Sequence, residues 1–545
     1  MATANAEASS FQQLPMKSHI AVLPSPGIGH ITPLLELSKL LVTHHQCHVT
    51  FLNVTTESSA AQNNLLHSPT LPPNLHVVDL PPVDLSTMVN DQTTIVARLS
   101  VNLRETLRPL NTILSQLPDK PQALIIDMFG THVFDTILEN IPIFTFFTAS
   151  AHLLAFSLFL PQLDRDVAGE FVDLPNPVQV PGCKPIRTED LMDGLRNRKI
   201  DEYKWYLYHV SRMTMSTGIL LNTWQDLEPV TLKALSEHSF YRSINTPPLY
   251  PIGPLIKETE SLTENEPECL AWLDNQPAGS VLFVTFGSGG VLSSEQQNEL
   301  AWGLELSGVR FVWVVRVPND TCAFAAFFNA GGDDDATSYL PEGFVSRTRE
   351  RGLVVRSWAP QVAILRHAST GAFVSHCGWN STLESVANGV PVIAWPLYAE
   401  QRMNVTTVEE DVGVGVRVRA KSTEKGVVGR EEIERVVRMV MEGEEGKEMK
   451  RKARELKETA VKSLSVGGPS YEMRAAMANV CLFATKKQCT KKPVQRVNHE
   501  TEVKVFIWRT HYITAPHAES LSGTNPWPSL ATFPDPSLSS LLYTG

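Results

Sequence analysis

Residues 19–30 read HIAVLPSPGIGH, and this stretch decides the fold. The apolar run 19–24 predicts a buried β-strand, and the glycine-containing turn after it predicts a reversal into a helix. The same unit recurs. Short apolar runs stand at 48–53, 75–80, 123–127, 143–147 and 218–222, and again at 281–286, 311–315, 352–355, 371–375 and 391–395. They alternate with helix-length segments, for example 32–42 and 93–117. This alternation is typical of parallel sheets covered by helices, so we predict an α/β protein with doubly wound sheets.

A proline-rich segment divides the two runs of strands. Residues 247–254 read PPLYPIGP, which is a stiff, non-helical sequence. We therefore predict two Rossmann-like domains in tandem, at 19–250 and 275–465, joined by a linker at 251–274. Residues 1–18 are expected to be a flexible N-terminus and 319–339 a long insertion loop. The proline- and serine-rich residues 486–545 show no helical or strand period and are predicted to be a disordered tail.

Composition restricts the class of protein. The 545 residues carry a net charge of −11, with 43% hydrophobic and 19% charged residues, which is typical of a soluble globular chain. An acidic chain without a long basic block is a poor partner for nucleic acid or an anionic membrane. The seven cysteines are scattered and never spaced CxxC, which argues against a disulfide framework or a zinc site.

One uncharged segment, 141–160, is long enough to cross a membrane. Its proline, threonine, serine and histidine residues favour a buried strand at 143–147 followed by a buried helix instead. The first fifteen residues have no basic region followed by an apolar one, so we expect no secretory signal and a cytoplasmic location.

The turn after the first strand ends in His30. A glycine-rich strand-to-helix turn lets main-chain N–H groups approach an anion. The dinucleotide fingerprint is incomplete, because Thr32 stands at its third glycine and the second strand ends at Asn53 rather than at an acid, so a nicotinamide enzyme is disfavoured. On this turn alone, a histidine that caps or packs is as good an interpretation as a catalytic one.

Asp127 ends the fourth strand and favours the catalytic interpretation. In a doubly wound sheet of order 3-2-1-4-5, strands one and four are neighbours at the switch point where ligands bind. His30 and Asp127 are then expected to face each other. A histidine oriented by a carboxylate is a general base that can deprotonate a hydroxyl. The alternative is an aspartate that merely terminates a strand.

The densest group of polar residues lies between Trp358 and Gln401. The strand 371–375 is followed by a predicted helix N-terminus at 376–381, where free N–H groups would favour a diphosphate. Ser381 and Glu384 also fit a capping box, which is the simpler explanation for those two residues. Trp358 offers a flat face for a base, and Glu400 with Gln401 offers hydrogen bonds to sugar hydroxyls.

The block 358–401 resembles the signature box of the plant family 1 UDP-glycosyltransferases that act on secondary products. The PSPGIGH turn, LDNQPAGSVLFVTFGSGG at 273–290 and WPLYAEQ at 395–401 agree, and the resemblance runs from about residue 19 to about 486. VPGCKP at 180–185, YKWYL at 203–207 and LIIDMFGTHVFD at 124–135 are most similar to the hydroquinone or phenol glucosyltransferase branch. The resemblance implies the GT-B fold, in which two Rossmann-like domains face each other across a cleft.

The resemblance also implies roles for residues. The acceptor binds the N-terminal domain, on which a C-terminal helix at about 466–485 packs back, and the donor binds the C-terminal one. His30 is the general base and Asp127 its partner. The residues implied to bind UDP are Ser288, Trp358, Ala359, Gln361, His376, Trp379, Asn380, Ser381 and Glu384. Those implied to contact the sugar are Thr148, Trp379, Glu400 and Gln401.

The implied activity is inverting transfer of glucose from UDP-glucose to a small phenolic acceptor, such as a hydroquinone or monolignol, giving a β-glucoside. UDP-glucose is a co-substrate, no cofactor or metal is expected, and we expect a monomer. Two Asp-x-Asp strings, at 164–166 and 333–335, are interpreted as solvated loop acids. The alternative is a non-catalytic protein of the same fold that binds a nucleotide sugar or another protein, which the presence of His30 and Asp127 disfavours.

Overall fold

The computed structural model describes residues 18–90, 92–137, 141–257, 266–321, 323, 335–420 and 426–489. Its strands are β1 His19–Leu23, β2 His48–Val54, β3 Leu75–Leu80, β4 Ala123–Asp127, β5 Ile143–Phe147, β6 Gly218–Leu221, β7 Leu249–Pro251, β8 Val281–Thr285, β9 Arg310–Val315, β10 Gly352–Arg356, β11 Thr370–Ser375, β12 Val392–Ala394 and β13 Gly415–Arg417.

The helices lie between these strands and after them. They are α1 Ile28–His45, α2 Ala60–Leu66, α3 Ile95–Thr106, α4 Leu110–Gln116, α5 Val133–Thr136, α6 Ala151–Asp166, α7 Asp201–Arg212, α8 Pro229–Glu237, α9 Ser239–Ser243, α10 Glu266–Asp274, α11 Ser294–Ser307, α12 Phe344–Thr348, α13 Gln361–Arg366, α14 Trp379–Ala387, α15 Gln401–Thr406, α16 Arg430–Glu442, α17 Glu444–Leu464 and α18 Pro469–Cys489.

The strands form two parallel sheets. Within the described residues the first has the order β3-β2-β1-β4-β5-β6-β7 and the second the order β10-β9-β8-β11-β12-β13. The predicted pair of Rossmann-like sheets is confirmed, as is the pairing of the first and fourth strands, where Leu23 lies opposite Ile126. Both sheets place the carboxyl ends of their central strands at a switch point, where loops can gather ligand-binding side chains.

The proline-rich segment is not only a connector. Its residues Leu249–Pro251 form β7, which pairs with β6 so that Ile219 lies opposite Leu249. An edge strand tolerates proline, because one of its sides needs no N–H donors. The segment is non-helical, as predicted, but three of its residues belong to the first sheet rather than to a connector.

Two predicted helices have different ends. The helical pattern at 93–117 is divided into α3 and α4, because Pro109 lacks an N–H and begins a new helix as its N-cap. The helix expected from Thr32 begins four residues earlier, at Ile28, after Gly27 with φ 107°. Glycine tolerates this left-handed value, and the early start places His30 in the first turn of α1.

The uncharged segment 141–160 folds as expected. It forms β5 and the first ten residues of α6, and α6 buries most of its apolar side chains. Among the described residues, no helix is both long enough and apolar enough to span a membrane.

Other predictions fall on segments that the structure describes only in part. Residues 1–17 and 490–545 lie outside the described residues, as do 322 and 324–334 of the expected insertion loop. The part of that loop that is described includes a short 3₁₀ helix, Ala336–Tyr339, so the segment is not wholly irregular.

Helix α18 packs on the first sheet although it follows the second in sequence. Its residues Met477, Ala478 and Cys481 share an apolar cluster with Ile20 of β1 and Leu34 of α1. Arg474, which is fully buried, donates from Nη1 to the carbonyl oxygen of Ile252 at 2.8 Å. The second half of the chain is thereby fixed to the domain that contains His30.

Met477→Ala is expected to lower the free energy of unfolding by about 2–5 kcal/mol, since Met477 is fully buried and its truncation leaves a cavity. Urea denaturation measures this. Met473→Ala, one turn earlier and 38% exposed, is the matched control and should change it by less than about 0.5 kcal/mol. Equal effects of the two substitutions would contradict the packing of α18 described above.

Candidate active site

His30 and Asp127 form a buried pair at the switch point of the first sheet. Nδ1 of His30 lies 2.9 Å from Oδ2 of Asp127, whose side chain is fully buried. The other carboxylate oxygen accepts hydrogen bonds from Ser25 Oγ at 2.6 Å and from the Phe129 N–H at 3.1 Å. The adjacency predicted from strand order is therefore present, and Ser25 and Phe129 hold the carboxylate in one orientation.

The pair determines the state of the imidazole. A carboxylate only accepts, so Nδ1 of His30 carries the proton and Nε2 keeps its lone pair. Burial acts to lower the pKa of His30. The charge of Asp127, its hydrogen bond and the charge of Glu400 outweigh burial, and the pKa is raised above its usual value. This geometry suits a general base that is oriented by a carboxylate.

The N-terminus of α14 faces the same region from the second sheet. Its N-cap is Gly378, and no side chain caps the first turn, so the first N–H groups are available to an anion. His376 lies beside this turn, and a Cβ at Gly287 or Gly378 would collide with its ring. Burial and the charge of Arg316 lower the pKa of His376 to about 3, so the imidazole is neutral and can offer a ligand only a hydrogen bond.

Gln361, Ser381 and Glu384 form one hydrogen-bonded group. Nε2 of Gln361 donates to Ser381 Oγ at 3.0 Å and to Oε2 of Glu384. The capping box is therefore wrong, because Ser381 lies inside the first turn rather than at its N-cap. Trp358, three residues before Gln361 in the sequence, is 39% exposed, and Ala359 beside it is buried. The arrangement suits a base stacked on Trp358 with its ribose near Glu384.

Trp379 and Asn380 connect the two domains. Nε1 of Trp379 donates to the carbonyl oxygen of Asn222 at 2.8 Å, and the side chain is 2% exposed. Nδ2 of Asn380 donates to the carbonyl oxygen of Gly29, also at 2.8 Å. The indole of Trp379 is thus committed to the first domain, and the contact expected with nucleotide and sugar is restricted to its main-chain N–H. Asn380 holds the residue that precedes His30.

Of the residues expected at the sugar, Thr148 and Glu400 interact with His30, whereas Gln401 supports its own loop. Oγ1 of Thr148 lies 3.3 Å from Nδ1 of His30. Burial raises the pKa of Glu400, which accepts a hydrogen bond from Asn404 at 3.2 Å. Gln401 is 2% exposed, and its Oε1 accepts from the N–H groups of the loop before it, those of Leu397 and Tyr398. Only the NH₂ group of Gln401 is left for a ligand.

The loops of the second sheet contain strained residues at this edge. Ser357, Cys377 and Ala399 follow β10, β11 and β12, and each has a left-handed φ between 53° and 63°. Such a conformation costs a non-glycine residue roughly 1–2 kcal/mol. Backbone strain of this kind is common at ligand-binding sites.

Sequence reasoning missed Arg316, which follows β9. Its guanidinium donates to the carbonyl oxygens of Ser288 at 2.9 Å, Gly290 at 3.2 Å and Ser357 at 3.3 Å. One cation therefore joins the loop of Ser288 to the loop of Trp358. In the sequence, Arg316 is a single arginine after a buried strand, and one such residue indicates a binding site less specifically than a motif does.

Ion pairs between the domains were also missed. Arg417 binds Asp190, Arg402 binds Asp193, and Lys184 binds Asp411 at 2.6 Å. Asp193 also accepts from the N–H of Ala399 at 2.9 Å. These contacts attach residues 184–193 of the first domain to residues 399–417 of the second, a segment that includes Glu400.

The first Asp-x-Asp string is solvated only in part, because Asp166 is exposed as expected but Asp164 is not. Asp164 lies in the last turn of α6 and binds Arg198 at 2.7 Å and the hydroxyl of Tyr203. It is half-buried, and its oxygens support the packing of α7. Asp333 and Asp334 lie outside the described residues.

Comparisons with known proteins agree with this geometry. The family model described as UDP-glucoronosyl and UDP-glucosyl transferase matches residues 247–464. The hydroquinone glucosyltransferase of Rauvolfia serpentina is 46% identical over 478 residues, which cover 87% of this chain and 99% of that protein.

This chain belongs to the plant family 1 UDP-glycosyltransferases. The crystal structure of TcCGT1 in complex with UDP matches the transferase with a TM-score of 0.80 and 44% identity, over 86% of this chain and 100% of that one. UGT2 of Phytolacca americana, solved with UDP-2-fluoro-glucose and pterostilbene, matches with a TM-score of 0.76 and 41% identity, over 86% and 100%. The predicted GT-B fold is confirmed, and the transferase acts with a UDP-sugar donor.

Arg316→Lys is expected to raise the KM of the transferase for UDP-glucose about tenfold with little change in kcat. Lysine keeps the positive charge but lacks the planar guanidinium whose several N–H groups bind both loops at once. Charge-assisted hydrogen bonds contribute about 1.5–3 kcal/mol each. Steady-state kinetics with varied donor measures the effect. Arg347→Lys, at an exposed ion pair with Glu305, is the control and should leave KM unchanged. An unchanged KM in Arg316→Lys would remove Arg316 from the donor site.

Proposed function

We propose that this transferase is an inverting UDP-glucose-dependent O-glucosyltransferase that acts on a hydroxyl of a small phenol, such as a hydroquinone or a monolignol. The observation that carries the proposal is the hydrogen bond from Asn380 to the carbonyl oxygen of Gly29. It brings the N-terminus of α14, where a diphosphate would bind, to the residue before His30. The base and the leaving-group site are then adjacent.

The proposed reaction is a single displacement. Nε2 of His30 takes the proton of the phenolic hydroxyl, and the positive charge that develops on the ring is balanced by Asp127. The acceptor oxygen attacks the anomeric carbon from the face opposite UDP. The bond from that carbon to the diphosphate oxygen breaks, and UDP leaves with the electron pair. An α-linked donor gives a β-glucoside.

The proposed stabilisation of UDP relies on the chain itself. We assign the stabilisation of charge on the leaving group to the N–H groups of the first turn of α14, which no side chain caps, and to the neutral imidazole of His376 beside them. Arg316 holds the Ser288 loop beside them. We propose on this basis that the transfer does not require a metal ion.

The proposed acceptor class rests on the side chains next to His30. The ring of Phe129 lies 5.6 Å from the His30 ring, and the ring of His209 lies 5.6 Å beyond Phe129. Aromatic surfaces suit a flat phenolic ring. The likeness to a hydroquinone glucosyltransferase supports the same class. We also propose a monomer and a cytoplasmic location, the latter because the cysteines are scattered and never spaced CxxC, which fits a reducing compartment.

The test is to incubate the transferase with UDP-glucose, EDTA and a panel of small phenols, and to determine product masses. A hexosylated phenol formed at the same rate with and without EDTA is the expected result. Binding of UDP-glucose without any product from the panel would favour the alternative of a non-catalytic binding protein. Loss of activity in EDTA, restored by a divalent ion, would contradict the metal-free transfer.

A further inference from the structure

A second pocket lies on the edge of the second sheet opposite the donor site. Its cavity of about 300 Å³ lies at the beginning of β11, near Gly371, and beside the loop of Gly279. The ends of α13 and α14 and one face of α17 complete its walls. The volume is at the lower end of the range of small-molecule sites.

Four cationic side chains line this pocket, namely Arg366, Lys450, Arg454 and Lys457. Within the described part of the chain, none of the four has a carboxylate at ion-pair distance. Arg451 on the same helix differs, since it pairs with Glu448 and Glu455. The nearby carboxylate of Asp274 binds His367 at 3.1 Å. The pocket therefore concentrates positive charge in a protein of net charge −11.

The spacing on α17 explains the concentration. Positions 450, 454 and 457 follow each other at intervals of four and three, so their side chains share one face of the helix. Burial and the charge of Arg454 lower the pKa of Lys450, whose ammonium donates to the Met441 carbonyl oxygen at 3.2 Å. Like charges have been brought together, and a bound anion would relieve their repulsion.

The helix C-termini at this pocket carry partial negative charge, which opposes anion binding. This charge is smaller than the positive charge of the side chains. Helices α13 and α14 both end at the pocket, and a helix C-terminus carries about −0.5 of an elementary charge. Two such ends amount to about −1, against four cationic side chains. The Asn388 side chain also donates to the Glu384 carbonyl oxygen at 2.8 Å, which satisfies one of the free carbonyls of α14. The net charge at the pocket is therefore positive.

We propose that this basic pocket binds a small, multiply charged anion of the phosphate-ester or diphosphate class, at a site separate from the donor site. The concave shape and limited volume favour a small molecule. The donor site lies at the N-terminal end of α14 and this pocket at its C-terminal end, so the two do not overlap. The proposal is independent of the acceptor and of the chemistry proposed for His30.

The test uses inorganic pyrophosphate as the probe and isothermal titration calorimetry as the measurement. The wild-type chain is expected to bind pyrophosphate in two classes of site, the donor site and the basic pocket. The double substitution Arg454→Glu with Lys457→Glu should weaken one class at least tenfold while the affinity for UDP at the donor site stays unchanged. Raising the salt concentration should weaken the pocket class in the wild type.

Arg451→Glu is the matched control, because Arg451 lies on the same helix but faces away from the pocket with its own acidic partners. It should keep both classes of site. The single substitutions Arg454→Gln and Lys457→Gln are milder and should each weaken the pocket class about threefold, which keeps the test decisive should the double variant fail to fold. A pyrophosphate isotherm that is identical in wild type and pocket variants would overturn the proposal.

Discussion

His30→Ala is expected to lower kcat for glucosyl transfer by about 10³-fold, because general-base catalysis contributes typically 10²–10⁴-fold. The side chain is 17% exposed and lies in the first turn of α1, where alanine continues the helix without strain. The affinity for UDP should stay unchanged, since the residues expected to bind UDP lie on the second domain. Rates with saturating UDP-glucose and hydroquinone measure the first quantity, and calorimetric titration with UDP measures the second.

His44→Ala is the matched control, because His44 is exposed at the other end of the same helix. It should retain full activity. If His30→Ala kept more than about a tenth of the wild-type kcat, the role of His30 as base would be contradicted. Equal loss of activity and of UDP binding would instead mean that the substitution had disturbed the contact of Gly29 with Asn380.

Asp127→Asn is expected to lower kcat/KM about 10²-fold and to change its pH dependence. In the wild type, Asp127 and Glu400 raise the pKa of His30 against the effect of burial. His30 must be unprotonated to act, so activity should rise with pH through an inflection above the ordinary value of about 6.5. Removing the charge of Asp127 leaves burial dominant, and the inflection should move to lower pH. A pH profile of kcat/KM for both proteins measures this.

Ser25→Ala provides the control for Asp127→Asn. It removes one hydrogen bond to the carboxylate but keeps its charge, so less than a tenfold loss and a nearly unchanged inflection are expected. An Asp127→Asn protein with the wild-type inflection would show that another group titrates in the profile. Glu400 would then be the next candidate, because burial raises its pKa and it faces His30.

The sheets could be predicted from the sequence because parallel strands that are buried on both faces consist of short, uninterrupted runs of apolar residues. The predicted strand order places Asp127 beside His30, and the distance of 2.9 Å between them agrees. The bounds of elements are harder to predict where proline occurs within an otherwise regular helical or strand pattern. Pro109 divides a continuous helical pattern, and β7 forms from residues whose prolines favour a link.

The roles of several residues depend on contacts that no local pattern encodes. Trp379 stands in a motif, yet its indole is used to join the domains, and the carbonyl group of Gln401 supports its own loop. Arg316 lies 28 residues from Ser288 and 41 from Ser357, whose carbonyl oxygens it binds. Such long-range partners follow from the assembled sheet, and a single sequence does not contain them.

The most direct test of the central claim is the anomeric configuration of the product. The transferase would be incubated with UDP-glucose and hydroquinone, and the coupling of the anomeric proton would be read by NMR. A β-glucoside is the result that single displacement by a hydroxyl activated at His30 predicts. An α-glucoside would contradict the account, because retention requires a second displacement or an attack from the face that UDP leaves.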